Sequence, residues 1–406
     1  MYHLKNQHLN FAVCTEILFS LGLILPNWKI KDVKMEKENF LYIGGLPMRK
    51  VAIIGGGPAG LTAAIEGAKK GFQVDLFERY KVGDDIRCAE GFFDTLNLLG
   101  EPKYGVRFKV DQLELEIKHS YTFPLDEKVN IWMIDRSEWQ RGLAEEAKSL
   151  GVNVIENSPI SKEKYEEIRK DYDWVIDSTG APSVTSRVYG FSTFYKENAG
   201  ITAQYTLHGD FSSWVGRLKA ALEDHYDGYY WIFPKSEQEA NVGIIFFTEN
   251  ELNPWQELER ILEKEGLSDY ERTRKLGGIC PVVRPKKLVY DNVLLTGDAA
   301  GLVSALHGGG IDCACISGKI AIECMEENKV DEYEKRIDEV LGGRLKGEKR
   351  LANLVWKLNR SITDRLVKAV HQSEKSLGEY GFLNGNADAF EKLGILKGLI
   401  PALLKH

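Results

Sequence analysis

Short apolar runs that stop at glycine turns recur along the chain. Val51-Ala52-Ile53-Ile54 is continuous and β-branched, the pattern of a strand buried on both faces. It runs into Gly55-Gly56-Gly57-Pro58-Ala59-Gly60. Leu61 to Lys70 then reads as a helix stopped by Gly71, and Gln73 to Phe77 as a second strand ending in Glu78. Trp174-Val175-Ile176-Asp177 predicts another strand before Ser178-Thr179-Gly180, and Val293-Leu294-Leu295 one before Gly297-Asp298. Gly308-Gly309-Gly310 opens a helical stretch from Ile311 to about Asn328. The middle of the chain has a different period: Tyr229, Trp231 and Phe233 alternate, so a strand there presents all three on one face. After Val330 the pattern is charged and helical, with Leu351, Leu354, Val355 and Leu358 on one side.

Composition narrows the function classes. The 406 residues are 43% apolar and 28% charged, with a formal charge of −7 and both signs interspersed. That describes a globular chain with a real core, and the absence of a basic stripe argues against nucleic acid as a partner. The six cysteines (14, 88, 280, 313, 315, 324) are scattered without a C-x-x-C. We therefore expect free thiols in a reducing, cytoplasmic setting, with neither a disulfide scaffold nor a metal site. Residues 1–47 do not fit the rest. Their apolar run, Phe11 to Leu25, contains Glu16 and is too short to span a bilayer. Met48-Arg49-Lys50 leads directly into the first strand, so we expect Met48 to be the natural start and 1–47 a non-native or disordered extension.

The glycine loop has a mechanical logic. Gly55 permits the tight turn, Gly57 admits a pyrophosphate to the backbone, and Gly60, with Ala59, lets the helix pack on the sheet. The helix N-terminus offers unpaired N–H groups to phosphates. Glu78 is placed to accept from an adenosine ribose. Strand, loop, helix, strand and acid occur in order within one unit, the context that a dinucleotide site requires.

The segment around Gly297-Asp298, with Gly310 and Ile311 after it, resembles the second flavin fingerprint of the glutathione-reductase-like FAD superfamily. That resemblance implies FAD, with Asp298 on the ribityl chain and the following helix aimed at the flavin pyrimidine edge. A helix N-terminus there stabilises the charge of a reduced flavin. Asp135-Arg136 with Trp139 and Leu143 resembles the superfamily's D-R helix start, which implies Arg136 against the nucleotide. Arg87-Cys88-Ala89-Glu90-Gly91 and Tyr229-Tyr230-Trp231-Ile232-Phe233-Pro234, followed by Ala240-Asn241-Val242-Gly243, resemble the geranylgeranyl reductase family. Ala89, Ile245 and Cys280-Pro281-Val282-Val283-Arg284-Pro285 depart from its glycines.

The family resemblance implies reduction of carbon–carbon double bonds in isoprenoid chains. Cys88, Glu90, Tyr229 and Trp231 would be the catalytic group, with Arg87, Cys88, Ala89 and Gly91 also near the flavin. It implies an α/β flavoprotein fold, a Rossmann domain (48–108, 134–185, 286–330) interleaved with a substrate sheet (109–133, 186–285). A helical region (331–406) follows, whose apolar end, Leu393 to Leu404, is a candidate for peripheral membrane contact. The partners implied are an isoprenoid lipid and an electron donor such as ferredoxin or NAD(P)H. Two alternatives remain open: a flavin monooxygenase, and an FAD-binding protein without this chemistry. Thr179 to Ser183 lacks the aspartate of the monooxygenase motif and Arg187 falls one residue late, while the tryptophan motif of flavin halogenases differs at two places.

Overall fold

In the computed structural model, which describes residues 49–126, 129–247 and 252–372, the first apolar run forms β1 (Lys50–Ile54) inside a six-stranded sheet. Its neighbours are β2 (Gln73–Phe77) and β9 (Trp174–Asp177), both parallel to it, and Val51 to Ile54 are buried as a two-faced apolar run requires. β8 (Asn153–Ile155) and β16 (Val293–Leu295) extend the sheet in parallel, and β15 (Val289–Tyr290) closes one edge antiparallel. The helix after the glycine loop, α1 (Pro58–Lys69), begins at Pro58 rather than Leu61. Proline at the first helical position gives up no hydrogen bond, because that N–H has no partner in any helix. Expectations placed on residues 1–47 and on Leu393–Leu404 lie outside the described residues.

The second sheet has seven strands in the order β14 (Glu271–Pro281), β10 (Ala199–His208), β13 (Glu239–Phe246), β12 (Gly228–Pro234), β11 (Arg217–Ala221), β5 (Gln112–Glu116), β6 (Ser120–Pro124). All its pairings are antiparallel except β11 with β5. The alternation in β12 divides two cores. Tyr230 and Ile232 join the apolar cluster that includes Leu258, Ile261 and Leu262 of α6 (Pro254–Lys264), while Tyr229, Trp231 and Phe233 face the other way. A third sheet of β3 (Gly91–Phe93), β7 (Ile131–Ile134) and β4 (Val106–Lys109) is an element the sequence pattern did not announce.

Helices complete the layers. α2 (Arg136–Ser149) starts at an Asp135 cap that accepts from the Glu138 N–H, and α3 (Lys162–Asp171) at a Ser161 cap. Short α4 (Val184–Tyr189) and α5 (Thr193–Glu197) link the two sheets, and α7 (Ile311–Glu326) lies along α1. That contact is close because residue 318 is glycine: a Cβ there would stand 2.4 Å from the Ala59 carbonyl oxygen. α8 (Tyr333–Ile337), α9 (Gly343–Lys357) and α10 (Arg360–His371) follow. The apolar stripe read on α9 is only partly covered: Leu351 and Val355 are half-buried, and Leu354 is exposed. No helix among the described residues is long and apolar enough to cross a membrane.

Candidate cofactor and substrate site

One cavity of about 750 Å³ joins the glycine loop to the aromatic side of the second sheet. At the loop end, Gly55 takes φ +106°, where a side chain would be strained, and a Cβ on it would meet the Ser178 carbonyl at 2.5 Å. Gly57 is different. Nothing lies within 4 Å of the Cβ it lacks, so its bare backbone faces open cavity at the start of α1. Gly60 sits against the Gly55 carbonyl and has no room for a side chain. Glu78 lines the cavity and ties down the loop, accepting from the Gly56 N–H at 2.6 Å and the Tyr80 N–H at 3.1 Å.

Asp298, Gly310 and Ile311 line the far end beside the start of α7, and the Asp298 carboxylate approaches Gly310. Burial pushes the Asp298 carboxyl above its ordinary range, with the Arg136 charge acting the other way. Arg136 lies on the wall, its Nε donating to Gln140 Oε1 at 2.9 Å while Gln140 Nε2 donates to the Gly56 carbonyl. The Thr296 hydroxyl on the same wall is buried without a partner among the described residues. An open glycine cradle, an N–H-rich helix start, a carboxylate and an unpartnered hydroxyl in one cavity fit a dinucleotide of the FAD type.

The R-C-A-E-G segment borders the cavity between these ends. Arg87 is exposed at the rim and paired with Asp85 at 3.2 Å. Cys88, Ala89 and Gly91 line the wall, and the carbonyls of Cys88 and Ala89 accept from Gln204 and Asn241 of the second sheet. Glu90 is almost fully buried, at φ +69°, and its carboxylate is saturated by donors: the Arg136 N–H at 3.0 Å, Asn241 Nδ2 at 3.0 Å and Lys235 Nζ at 2.9 Å.

Opposite stand Tyr229, Trp231 and Phe233, with neighbouring ring centroids 6.0 and 6.4 Å apart, joined by Phe93 at 6.4 Å from Phe233. The Tyr229 hydroxyl donates to the His307 carbonyl at 2.7 Å, and burial pushes its phenol well up from the usual range. Reading the sequence for sites missed Cys280, Phe93, His307 and Lys235. Cys280 was visible only as a departure from a glycine; here it lines the cavity with its thiol pushed up to about 12 by burial, then by Asp298 and Cys88. Outside this cavity, Glu223, His225 and Glu257 bring ligand-type atoms together, but Arg260 already bridges both carboxylates, at 2.8 and 2.6 Å.

The fold and cavity are those of an FAD-binding protein, and comparison with known proteins makes it an FAD-dependent oxidoreductase. The FAD binding domain model matches residues 50–115. Digeranylgeranylglycerophospholipid reductase 2 of Methanothermobacter thermautotrophicus is 27% identical over 387 residues, covering 86% of this chain and 99% of its own. Digeranylgeranylglycerophospholipid reductase of Methanosarcina acetivorans is 30% identical over 334 residues, 72% and 81% of the two chains. The solved structure of a geranylgeranyl bacteriochlorophyll reductase-like protein from Thermoplasma acidophilum superposes with a TM-score of 0.69 at 23% identity, over 88% of this chain and 100% of its own. The chain belongs to the digeranylgeranylglycerophospholipid reductase family.

Proposed function

We propose that the protein saturates carbon–carbon double bonds of geranylgeranyl chains in the synthesis of archaeal-type membrane lipids. The observation that carries this reading is the aromatic wall of Tyr229, Trp231, Phe233 and Phe93 along a cavity continuous with the flavin cradle. A row of rings on one sheet face suits a long apolar chain, and the relatives named above are lipid reductases. The proposal includes ferredoxin or NAD(P)H as electron donor and peripheral contact with the inner face of the membrane.

Gly55, Gly57, Ala59 and Gly60 would hold the pyrophosphate side of FAD, Glu78, Arg87 and Arg136 the nucleotide surroundings, and Asp298, Gly310 and Ile311 the flavin end. When bound and reduced, FAD supplies a hydride to one alkene carbon, so the other carbon needs a proton. Tyr229 is poorly suited to give it, because its hydrogen is engaged with the His307 carbonyl and its phenol is held far above neutral. The Cys88 thiol lines the same cavity, and no acceptor among the described residues claims its S–H, so we assign it the proton. Glu90, its oxygens already filled, would position this segment rather than exchange protons. Trp231 would wall the chain and, through its ring face, stabilise positive charge developing on the alkene.

The test uses variants reduced anaerobically and mixed with geranylgeranyl-bearing lipid, following flavin reoxidation and lipid mass. Trp231→Ala should retain FAD and lose lipid turnover, whereas Asp298→Ala should lose FAD. Undiminished turnover by Trp231→Ala would overturn the tunnel assignment. Reoxidation only when air is admitted would favour the monooxygenase alternative.

A further inference from the structure

His307 lies one residue before the glycine run that leads into α7, and none of the motifs above accounts for it. It is tied to four parts of the molecule. Its ring stacks on Phe93 of β3, centroids 5.3 Å apart with planes 25° from parallel. Its carbonyl receives the Tyr229 hydroxyl from β12. Its Nδ1 accepts the Gly309 N–H at 3.2 Å, inside the turn that residue 304 closes by accepting the Gly308 N–H and donating to the Gly309 carbonyl. Its Nε2 faces Glu348 Oε1 of α9 at 3.8 Å, an ion-pair distance rather than a hydrogen bond.

Glu348 is itself set in a buried chain of charge. Arg344 Nε donates to it at 2.8 Å, and Arg344 Nη1 meets Asp312 Oδ2, in the first turn of α7, at 2.5 Å. Arg344 and the Asp312 carboxylate are nearly inaccessible. Burial works to raise the Glu348 carboxyl, but the His307 Nε2–H that faces it and the Arg344 guanidinium more than offset this and hold it well below its ordinary value. A fixed negative charge at Nε2 favours the proton on that nitrogen, which leaves the lone pair on Nδ1 for Gly309.

We infer that His307, oriented by Glu348, is a positioning residue of the flavin site: by accepting the Gly309 N–H it fixes the shape of the loop from which the glycine run and the start of α7 meet FAD. Helix α9 therefore belongs to the site, through Glu348 facing His307 and Arg344 meeting Asp312 in the first turn of α7. The inference rests on flavin binding, not on the lipid substrate, so it stands or falls separately from the reductase reading.

Two variants separate the nitrogen from the ring. His307→Phe keeps an aromatic ring against Phe93 and loses the acceptor. His307→Asn loses the ring and keeps an acceptor, since its Oδ1 stands as many bonds from the backbone as Nδ1. Each full-length protein, stripped of FAD, is titrated with FAD by flavin fluorescence, and the absorption spectrum of the bound flavin is recorded. One lost hydrogen bond that orders a binding loop corresponds to roughly fivefold to tenfold in affinity. His307→Phe should show that weakening together with an altered spectrum, and His307→Asn should recover to within about twofold to threefold of the parent.

Equal FAD affinity in His307→Phe and the parent, or His307→Asn no better than His307→Phe, would overturn the inference.

Discussion

The glycine loop makes two demands that two single-methyl variants can pull apart. At Gly60 an added Cβ would stand 1.9 Å from the Gly55 carbonyl oxygen and 2.5 Å from Ser178 Oγ, where real contacts stay above 3.0 Å. The Gly55 carbonyl is backbone, fixed between β1 and α1, so the helix must retreat by roughly an ångström and lift its apolar face, which includes Leu61, Ala64 and Ile65, from the sheet. Overpacking of this kind costs up to about 3 kcal/mol, or roughly 4 °C in Tm for a chain of this size, at about 2.1 cal/mol/K of unfolding entropy per residue. At Gly57 the same methyl meets nothing, and φ is −82°, which alanine adopts freely. Gly57→Ala should therefore leave the apoprotein as stable as the parent, or more stable by about 0.4–1 kcal/mol through a less flexible unfolded chain. Its methyl would occupy the space at the start of α1 where a pyrophosphate would approach the backbone, and FAD affinity should fall by roughly a hundredfold, about 2.8 kcal/mol. Thermal unfolding of the stripped protein reads the first quantity and a flavin fluorescence titration the second. If Gly57→Ala bound FAD normally, or melted as early as Gly60→Ala, the assignment of the cradle would be wrong.

Removing the cation from the buried Glu90–Lys235 pair should be costly, because it strands a carboxylate that is almost wholly out of water. Lys235→Met is expected to lose about 3 kcal/mol in denaturant unfolding, and Glu90→Gln added to it should restore part of that. Asp364 of α10 accepts from the backbone N–H groups of Lys118 and His119, from His119 Nδ1 and from the Tyr121 hydroxyl, clamping the helix on the β5–β6 turn. Burial acts to raise its carboxyl, but these donors hold it below the ordinary aspartate value. With the folded value depressed, the clamp is fully present above about pH 4 and is lost as pH falls from there through the folded value. Amide exchange in α10 should therefore rise below about pH 4 in the parent and lose that dependence in Asp364→Asn. Cys280, its thiol pushed up to about 12, should resist alkylation at pH 8 under native conditions and react on unfolding; rapid native labelling would refute the raised thiol.

Much of the first sheet was legible in the chain because its signals are local. A continuous β-branched run, a glycine turn and a following amphipathic stretch each constrain neighbouring dihedrals, so β1, α1 and β2 follow from their own residues. The period-two rows of β12 likewise fix which aromatics share a face, whatever that face meets. What the rings meet was decided by pairing between distant segments. β12 finds β13 and β11, β10 finds β14, and only that order brings Cys280, Trp231 and Cys88 round one cavity.

The same holds for the polar contacts. Glu90 is read from sequence as a reactive carboxylate beside a thiol, yet Lys235, Asn241 and the start of α2 arrive from three other segments and fill its oxygens. His307 is unremarkable until α9 delivers Glu348 to it and β12 delivers Tyr229. The sequence by itself determined the nucleotide-binding unit, the flavin fingerprint and the aromatic face, because turns, caps and alternation are properties of neighbouring residues. The tertiary structure alone decided which titratable groups are paired and which face the cavity, because burial and ion pairing depend on distances that no local pattern encodes.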